Sequence, residues 1–316
     1  METNHILTRL PNSPPGTHRF AHQAMGTIFE ILIAHSDGAY AEQAAWAAFG
    51  ELDRIEQQLS RYIENSDVSR INNLAANQPL RIGFDTYKCL RLSARIYAET
   101  NGAFDITIGS LLDCYRSGLA PSKHKLQLAR QRTGMRLIEL NETRHTVRLH
   151  TSQVQIDLGG IGKGYAVDRM AALLCDWSID AALIHGGRSS VVALGAVPRT
   201  RGWVITLTNP SNRKETLARL DLRNRAISGS GLRKGRHIID PRTAKPVEGK
   251  RAAWCCAPTA AITDALSTAF MVMSPAEVER YCARHPDTLA MIVVEAEEGE
   301  KQAVRVLRFG NWERLI

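Results

Sequence analysis

Between Val154 and Leu174 the chain changes its periodicity across one glycine-rich turn, and this junction constrains the fold more than any other segment. Val154, Ile156 and Leu158 alternate as a strand does; Gly159-Gly160-Ile161-Gly162-Lys163-Gly164 follows; Ala166, Val167, Met170, Leu173 and Leu174 then repeat with a helical period. With Val147 and Leu149, the alternating residues read as a hairpin ending at Asp157. A strand, a glycine turn and a helix start leave backbone N–H groups free at the helix N-terminus, which favours phosphate. The turn is not a Walker A loop, because no Ser or Thr follows Lys163. It is not a dinucleotide fingerprint either, because Tyr165 occupies the third glycine position. The same glycines would equally serve a tight turn that needs positive φ.

Strand and helix signals interleave along the rest of the chain. Strands are predicted at Thr27–Ala34, Ala181–His185, Val191–Leu194, Trp203–Leu207, Arg225–Ser228 and His237–Ile239. Leu289–Val294 and Val304–Phe309 read as a hairpin around Glu298-Gly299. A helix from about Tyr40 to Tyr62 puts Phe49, Leu52, Ile55 and Leu59 on one stripe; further helices are expected at Tyr87–Glu99 and Thr263–Met273. Ser274-Pro275-Ala276-Glu277 is a capping box opening another. Residues 1–17 are polar, contain prolines and read as a loose arm, leaving residues 18–316 as one intertwined α+β unit without repeat or linker.

Composition narrows the function classes. At 44% hydrophobic and 23% charged, the 316 residues exclude extended disorder, collagen and coiled coil. No stretch approaches the roughly 18 to 20 apolar residues of a membrane span. The opening METNHILTRLPNSPPG has no apolar core of a secretory signal, so a cytoplasmic location is expected. The net charge of +8 suits an anionic partner or simply a basic, soluble surface, and no nucleic-acid motif accompanies it. The six cysteines form no CxxC pair and no metal spacing, so they read as free, mostly buried thiols.

Several short segments carry possible chemistry. Asp264 and Thr268 are four residues apart on an otherwise apolar helix, so their oxygens point to one side. They suit a Mg²⁺ site completed by substrate phosphate, or Asp264 caps the helix start. His237 and Asp240 lie three apart in strand spacing, which puts them on opposite faces and disfavours a direct dyad. Ser228-Gly229-Ser230-Gly231 lacks the spacing of a nucleophile elbow. Asp105, in Gly102-Ala103-Phe104-Asp105, could bind a polar ligand group or organise an Asx-turn.

Taken in order, these segments resemble one family. Its blocks are Ala24-Met25-Gly26-Thr27; Leu59-Ser60-Arg61-Tyr62 with Ser66-Asp67-Val68-Ser69-Arg70-Ile71-Asn72; and Gly102–Leu111. Asp157–Asp168, His237-Ile238-Ile239-Asp240-Pro241-Arg242-Thr243 and Thr263–Ala269 complete the series. The pattern is that of the FAD:protein FMN transferase (ApbE) family, over roughly residues 20 to 310.

The resemblance implies an ApbE-like, T-fold-related unit of mixed sheets with packed helices. It implies an enzyme that uses Mg²⁺ to split FAD, attaches FMN by a phosphoester bond to a Thr or Ser of an acceptor flavoprotein, and releases AMP. The alternatives it leaves are an FAD pyrophosphatase giving FMN and AMP, or a flavin- or nucleotide-binding protein without turnover. By the same resemblance the Mg²⁺ ligands are the Asp264 carboxylate, the Thr268 hydroxyl and the Gly162 carbonyl. FAD would be bound by Met25, Tyr62, Asp105, Gly160, Lys163 and Ser230, and His237 would serve the transfer chemistry. Many members are exported.

The chain departs from the pattern in three places. Gly186-Gly187-Arg188 stands where Gly-Gly-Asn or Gly-Gly-Asp is usual. Ser228-Gly229-Ser230-Gly231 stands where Ala-Thr-Ser-Gly is usual, and only Leu232–Arg236 separates it from His237.

Overall fold

The computed structural model describes residues 16–116, 120–212, 214–232, 238–295 and 304–315. The body of the fold is one eight-stranded antiparallel sheet. Numbering only its strands, these are β1 (Thr17–Ala24), β2 (Thr27–Ala34), β3 (Ala182–Gly186), β4 (Ser190–Leu194), β5 (Arg225–Gly231), β6 (Lys250–Ala257), β7 (Leu289–Glu295) and β8 (Val304–Phe309). Their order across the sheet is their order along the chain, and each neighbouring pair is antiparallel. Most of the helical sequence is therefore inserted between β2 and β3 or between β6 and β7.

Eight α-helices occur among the described residues: α1 (Gly38–Leu59), α2 (Asp67–Asn72), α3 (Phe84–Glu99), α4 (Gly109–Tyr115), α5 (Lys123–Gln131), α6 (Gly162–Asp176), α7 (Ala260–Val272) and α8 (Pro275–Arg284). Asp37 caps α1 by accepting the N–H groups of Ala39 and Tyr40, and the helix ends at Ser60, whose backbone is extended. The stripe read from the sequence is the buried one, widened by Ala41, Ala44, Ala45 and Ala48. The capping box of α8 is formed as expected.

Both faces of the sheet are covered. Phe29, Ile31, Ile184, Val192, Ala253, Cys255 and Ile292 pack into one large core with the helices. Their neighbours Leu183, Val191, Ile227, Cys256 and Met291 face a second core, beneath an antiparallel ribbon of Trp203–Thr208 and Thr216–Leu222. Strands buried on both faces read as continuous apolar runs, and for that reason β6 gives no alternating signal.

One predicted hairpin is not formed. Thr146–Leu149 pairs with Pro79–Arg81 and Ile138–Asn141 instead of with residues 154–158. The latter stretch is extended, but its backbone groups are engaged elsewhere. Asn72 brackets Ile156 with two side-chain hydrogen bonds, Gly109 N–H reaches the Gln155 carbonyl, and Asp157 N–H reaches the Ile106 carbonyl. Those contacts fix the approach of the chain to the glycine turn.

Candidate active site at the α6–α7 junction

The antiparallel order brings particular turns to one end of the sheet. Met25-Gly26 joins β1 to β2 with φ values of 49° and 68°, the two left-handed positions of a type I′ turn. Beside it the β3–β4 turn donates Gly187 N–H to the Ile28 carbonyl, and Gly229 N–H of β5 reaches the Ser189 carbonyl. The Met25 N–H is held by Glu56 of α1 at 2.8 Å. Ser230 lies at this end, near the close of β5.

Helix α7 lies along β5, pinned by hydroxyl pairs. Ser228 Oγ lies 2.7 Å from Thr263 Oγ1, and Ser230 Oγ lies 2.9 Å from Ser267 Oγ and 3.1 Å from Thr268 Oγ1. Asp264 is therefore held between Thr263 and the Ser267/Thr268 pair, facing the start of α6. It is only 3% exposed. Its Oδ2 accepts the Gly164 N–H at 3.0 Å and lies 3.7 Å from Lys163 Nζ, which itself donates to the Gly159 carbonyl.

The glycines of the turn do not serve positive φ, since none of Gly159, Gly160, Gly162 or Gly164 adopts it. Gly160 and Gly164 serve close approach. A Cβ on Gly160 would sit 3.2 Å from Thr268 Oγ1 and 3.3 Å from the Phe104 ring, and one on Gly164 would sit 2.8 Å from the Asp264 Cβ. Gly160, Lys163, Ser230, Asp264 and Thr268 thus form one cluster, and Gly162 precedes Lys163 at the start of α6.

Tyr62 and Asp105 flank it. Arg61 donates to Asp157 Oδ2 at 2.9 Å while Asp157 Oδ1 accepts the Gly159 N–H, so the loop carrying Tyr62 is tied to the glycine turn. Tyr62 itself is 79% exposed, an unusual exposure for an aromatic side chain on an ordered loop. Asp105 forms the Asx-turn: its Oδ1 accepts both the N–H and the hydroxyl of Thr107. Burial pushes its carboxyl up to about 6, and the Thr107 bonds hold it back from rising further. It lies at a cavity of about 250 Å³ that Arg130, Arg136 and Arg242 also line. Met25 shares the sheet end with Ser230. His237 lies outside the described residues.

Sequence reasoning missed one residue that this geometry singles out. Asp168, one turn beyond Gly164 on α6, accepts the N–H groups of Ala260 and Ala261 at 2.7 and 2.8 Å. Burial pushes its carboxyl up to about 6 against those two donors. Its place four residues after a glycine, at the close of the Asp157–Asp168 block, was its sequence signal.

The donor set suits a hard cation. The oxygens brought together here are the Asp264 carboxylate, whose contacts both fall on Oδ2, and the Thr268 hydroxyl. No group of three or more His, Cys, Asp or Glu that could hold a metal occurs among the described residues. A cation here would need further oxygens from water or from a phosphate ligand, as Mg²⁺ usually takes. No helix among the described residues is long and apolar enough to cross a membrane.

Comparison with known proteins bears on the family and the fold. The chain is 28% identical over 307 residues to the FAD:protein FMN transferase of Klebsiella pneumoniae (strain 342), covering 91% of this chain and 87% of that one. It is 26% identical over 294 residues to that of Escherichia coli (strain K12), covering 87% and 84%. The flavin transferase ApbE from Vibrio cholerae shares the fold, with a TM-score of 0.84 at 21% identity over 95% of this chain and 100% of that one. The ApbE protein from Thermotoga maritima superposes with a TM-score of 0.81 at 26% identity, over 93% and 97%. The sequence model of the ApbE family matches residues 25–293, and with so much of its length matched the chain belongs to the ApbE family.

Proposed function

We propose that this chain is an FAD:protein FMN transferase. It would transfer FMN from FAD to a Thr or Ser hydroxyl of an acceptor flavoprotein and release AMP, with Mg²⁺ at Asp264, Thr268 and the Gly162 carbonyl. The observation that carries the reading is the buried Asp264 carboxylate set against the α6 N-terminus, with Lys163 3.7 Å away and Thr268 one turn on. The names of the relatives from Klebsiella and Escherichia support the activity.

In the reaction the acceptor oxygen bonds to the FMN phosphorus, the bond from that phosphorus to the bridging oxygen breaks, and AMP leaves with the bridging oxygen. When bound, the cation supplies neutralisation of phosphate charge. Lys163 and the positive dipole end of α6 bind the pyrophosphate, because both present positive charge to it. Tyr62 offers an aromatic face to a flat ring, and Ser230 fixes Thr268 from the β5 side. His237 takes the acceptor hydroxyl proton, a role assigned by resemblance and by the suitability of an imidazole near neutral pH.

The test incubates the purified protein with FAD and Mg²⁺, with and without an acceptor carrying Asp-x-x-Ser/Thr-Gly-Ala-Thr. AMP and protein-bound flavin are measured separately. Both products, only with acceptor, support the transferase. AMP without bound flavin would assign an FAD pyrophosphatase, and neither product a binding protein. With a working assay, His237→Ala is expected to lower transfer by roughly two to four orders of magnitude, the usual cost of losing a general base.

A further inference from the structure

Helices α6 and α7 lack side-chain caps of their own, since neither Ile161 nor Thr259 makes an N-cap hydrogen bond through its side chain. Each helix is capped by the other instead. Asp264 of α7 accepts the Gly164 N–H in the first turn of α6, and Asp168 of α6 accepts the Ala260 and Ala261 N–H groups in the first turn of α7. In each helix one turn separates the carboxylate from the residue where the partner attaches, Gly164 from Asp168 and Ala260 from Asp264. Two carboxylates thus tie two helix starts together, about 90 to 100 residues apart in sequence.

We propose that Asp168 is a positioning residue for the cation site, setting the separation between Asp264 and Thr268 on α7 and the Gly162 carbonyl on α6. The proposal rests on the cation reading given under Proposed function. Its physical basis is leverage. The two ligands on α7 follow directly from the turn that Asp168 holds, so a shift of that turn moves both with respect to α6. Glycine at position 164 permits the approach but does not enforce it; the paired N–H bonds to Asp168 do. Groups that orient metal ligands in this way typically change metal affinity 10- to 100-fold when removed.

A bland alternative is that Asp168 merely stabilises α7 as any N-cap would. The experiment separates the two. Mn²⁺, which takes the same oxygen donors as Mg²⁺, is titrated into the full chain in the presence of AMP, and bound Mn²⁺ is read by electron paramagnetic resonance. Four variants accompany the wild type: Asp168→Ala, Asp168→Asn, Asp264→Asn and Asp168→Ala combined with Thr259→Asp. The last restores a cap within α7, since Thr259 already has the extended backbone of an N-cap, with φ −127° and ψ 149°.

The expected result is a 10-fold or greater loss of Mn²⁺ affinity in Asp168→Ala, with a smaller loss in Asp168→Asn, which keeps one acceptor oxygen. The double variant should regain thermal stability but not affinity. In turnover, the Mg²⁺ concentration for half-maximal rate should rise more than the rate at saturating Mg²⁺ falls. Recovery of Mn²⁺ affinity in the double variant would overturn the proposal in favour of simple capping. Wild-type affinity in Asp168→Ala, with affinity lost in Asp264→Asn, would overturn it and leave the site standing. Wild-type affinity in Asp264→Asn would overturn the cation site itself, and the positioning role with it.

Discussion

Arg61 donates to Asp157 at 2.9 Å across 96 positions of sequence, and both side chains are largely buried. The pair joins the loop of Tyr62 to the glycine turn, because Asp157 uses its other oxygen on the Gly159 N–H. Arg61 also lies 3.5 Å from Asp113, so its charge is shared between two carboxylates.

The first prediction concerns this tie. Charge-assisted hydrogen bonds in a partly buried setting couple their partners by about 1–3 kcal/mol. Arg61→Ala and Asp157→Asn should therefore each raise the KM for FAD, and their effects should overlap. A double-mutant cycle on FAD affinity is expected to show coupling in that range. Strict additivity would mean that the tie does not organise the flavin end of the site.

The second prediction concerns Lys163. Its ammonium bridges the Gly159 carbonyl and the neighbourhood of Asp264 on the exposed side of the turn. Losing a charge-assisted contact to pyrophosphate costs about 1.5–3 kcal/mol, or roughly 10- to 100-fold in affinity. Lys163→Ala should weaken FAD binding by that factor and flatten its dependence on salt. Riboflavin, which has no phosphate, should bind both proteins alike, and a parallel loss for riboflavin would sink the assignment.

The third prediction is a pH effect on stability. Asp105 is buried, and that burial pushes its folded pKa up to about 6, above the ordinary 3.8 of an aspartate. A raised carboxylate pKa means that the folded state prefers the proton. Its contribution is fully present below about 4, is lost as pH rises through 6, and leaves a cost of up to about 3 kcal/mol above that. Asp105→Asn, which can still accept from Thr107, should remove this slope. Urea titrations at pH 4.5 and 7.5 should show the variant gaining on the wild type more at the higher pH, by about 2 kcal/mol.

How much of this was legible in the sequence depends on the length scale of each feature. The spacing of Asp264 and Thr268 follows from one helical turn, so it reads directly from residue numbers. The type of β2 and the stripe of α1 read equally well, because each buries one regular set of positions. β1 was hidden because His18, Arg19, His22 and Gln23 interrupt the apolar pattern of a strand at the edge of the sheet. β6 was hidden for the opposite reason, with Ala253 and Cys255 facing one core and Cys256 the other. The ribbon strand Thr216–Leu222 does carry a signal, the alternation of Ala218, Leu220 and Leu222. The pairings of Arg61 with Asp157 and of Asp168 with Ala260 carry none, since they join residues about 90 positions apart and no periodicity marks them. The purpose of the turn glycines stayed open in the sequence for a related reason. Glycine tolerates both positive φ and close contact, and only the neighbours tell which is in use.

The last prediction uses those neighbours. Gly162 and Gly164 open the same helix, and replacing either by Ala would raise intrinsic helix propensity by up to about 1 kcal/mol. Their surroundings differ. A Cβ at Gly162 would meet only the Leu158 Cβ, at 3.7 Å, which is ordinary contact. A Cβ at Gly164 would lie 2.2 Å from the Ala260 carbonyl oxygen and 2.6 Å from its carbon. Those are main-chain atoms, so relief requires α6 and α7 to separate, and overpacking of this kind costs about 1–3 kcal/mol or more. The clash outweighs the propensity gain. Gly164→Ala should therefore lower stability by roughly 2 kcal/mol and lengthen the Asp264 contact to α6, while Gly162→Ala should leave stability within about 0.5 kcal/mol of wild type or raise it. Chemical denaturation of the two variants, side by side, measures the difference. Equal stabilities would show that the two helices are not in the close contact on which the geometry of Asp264 depends.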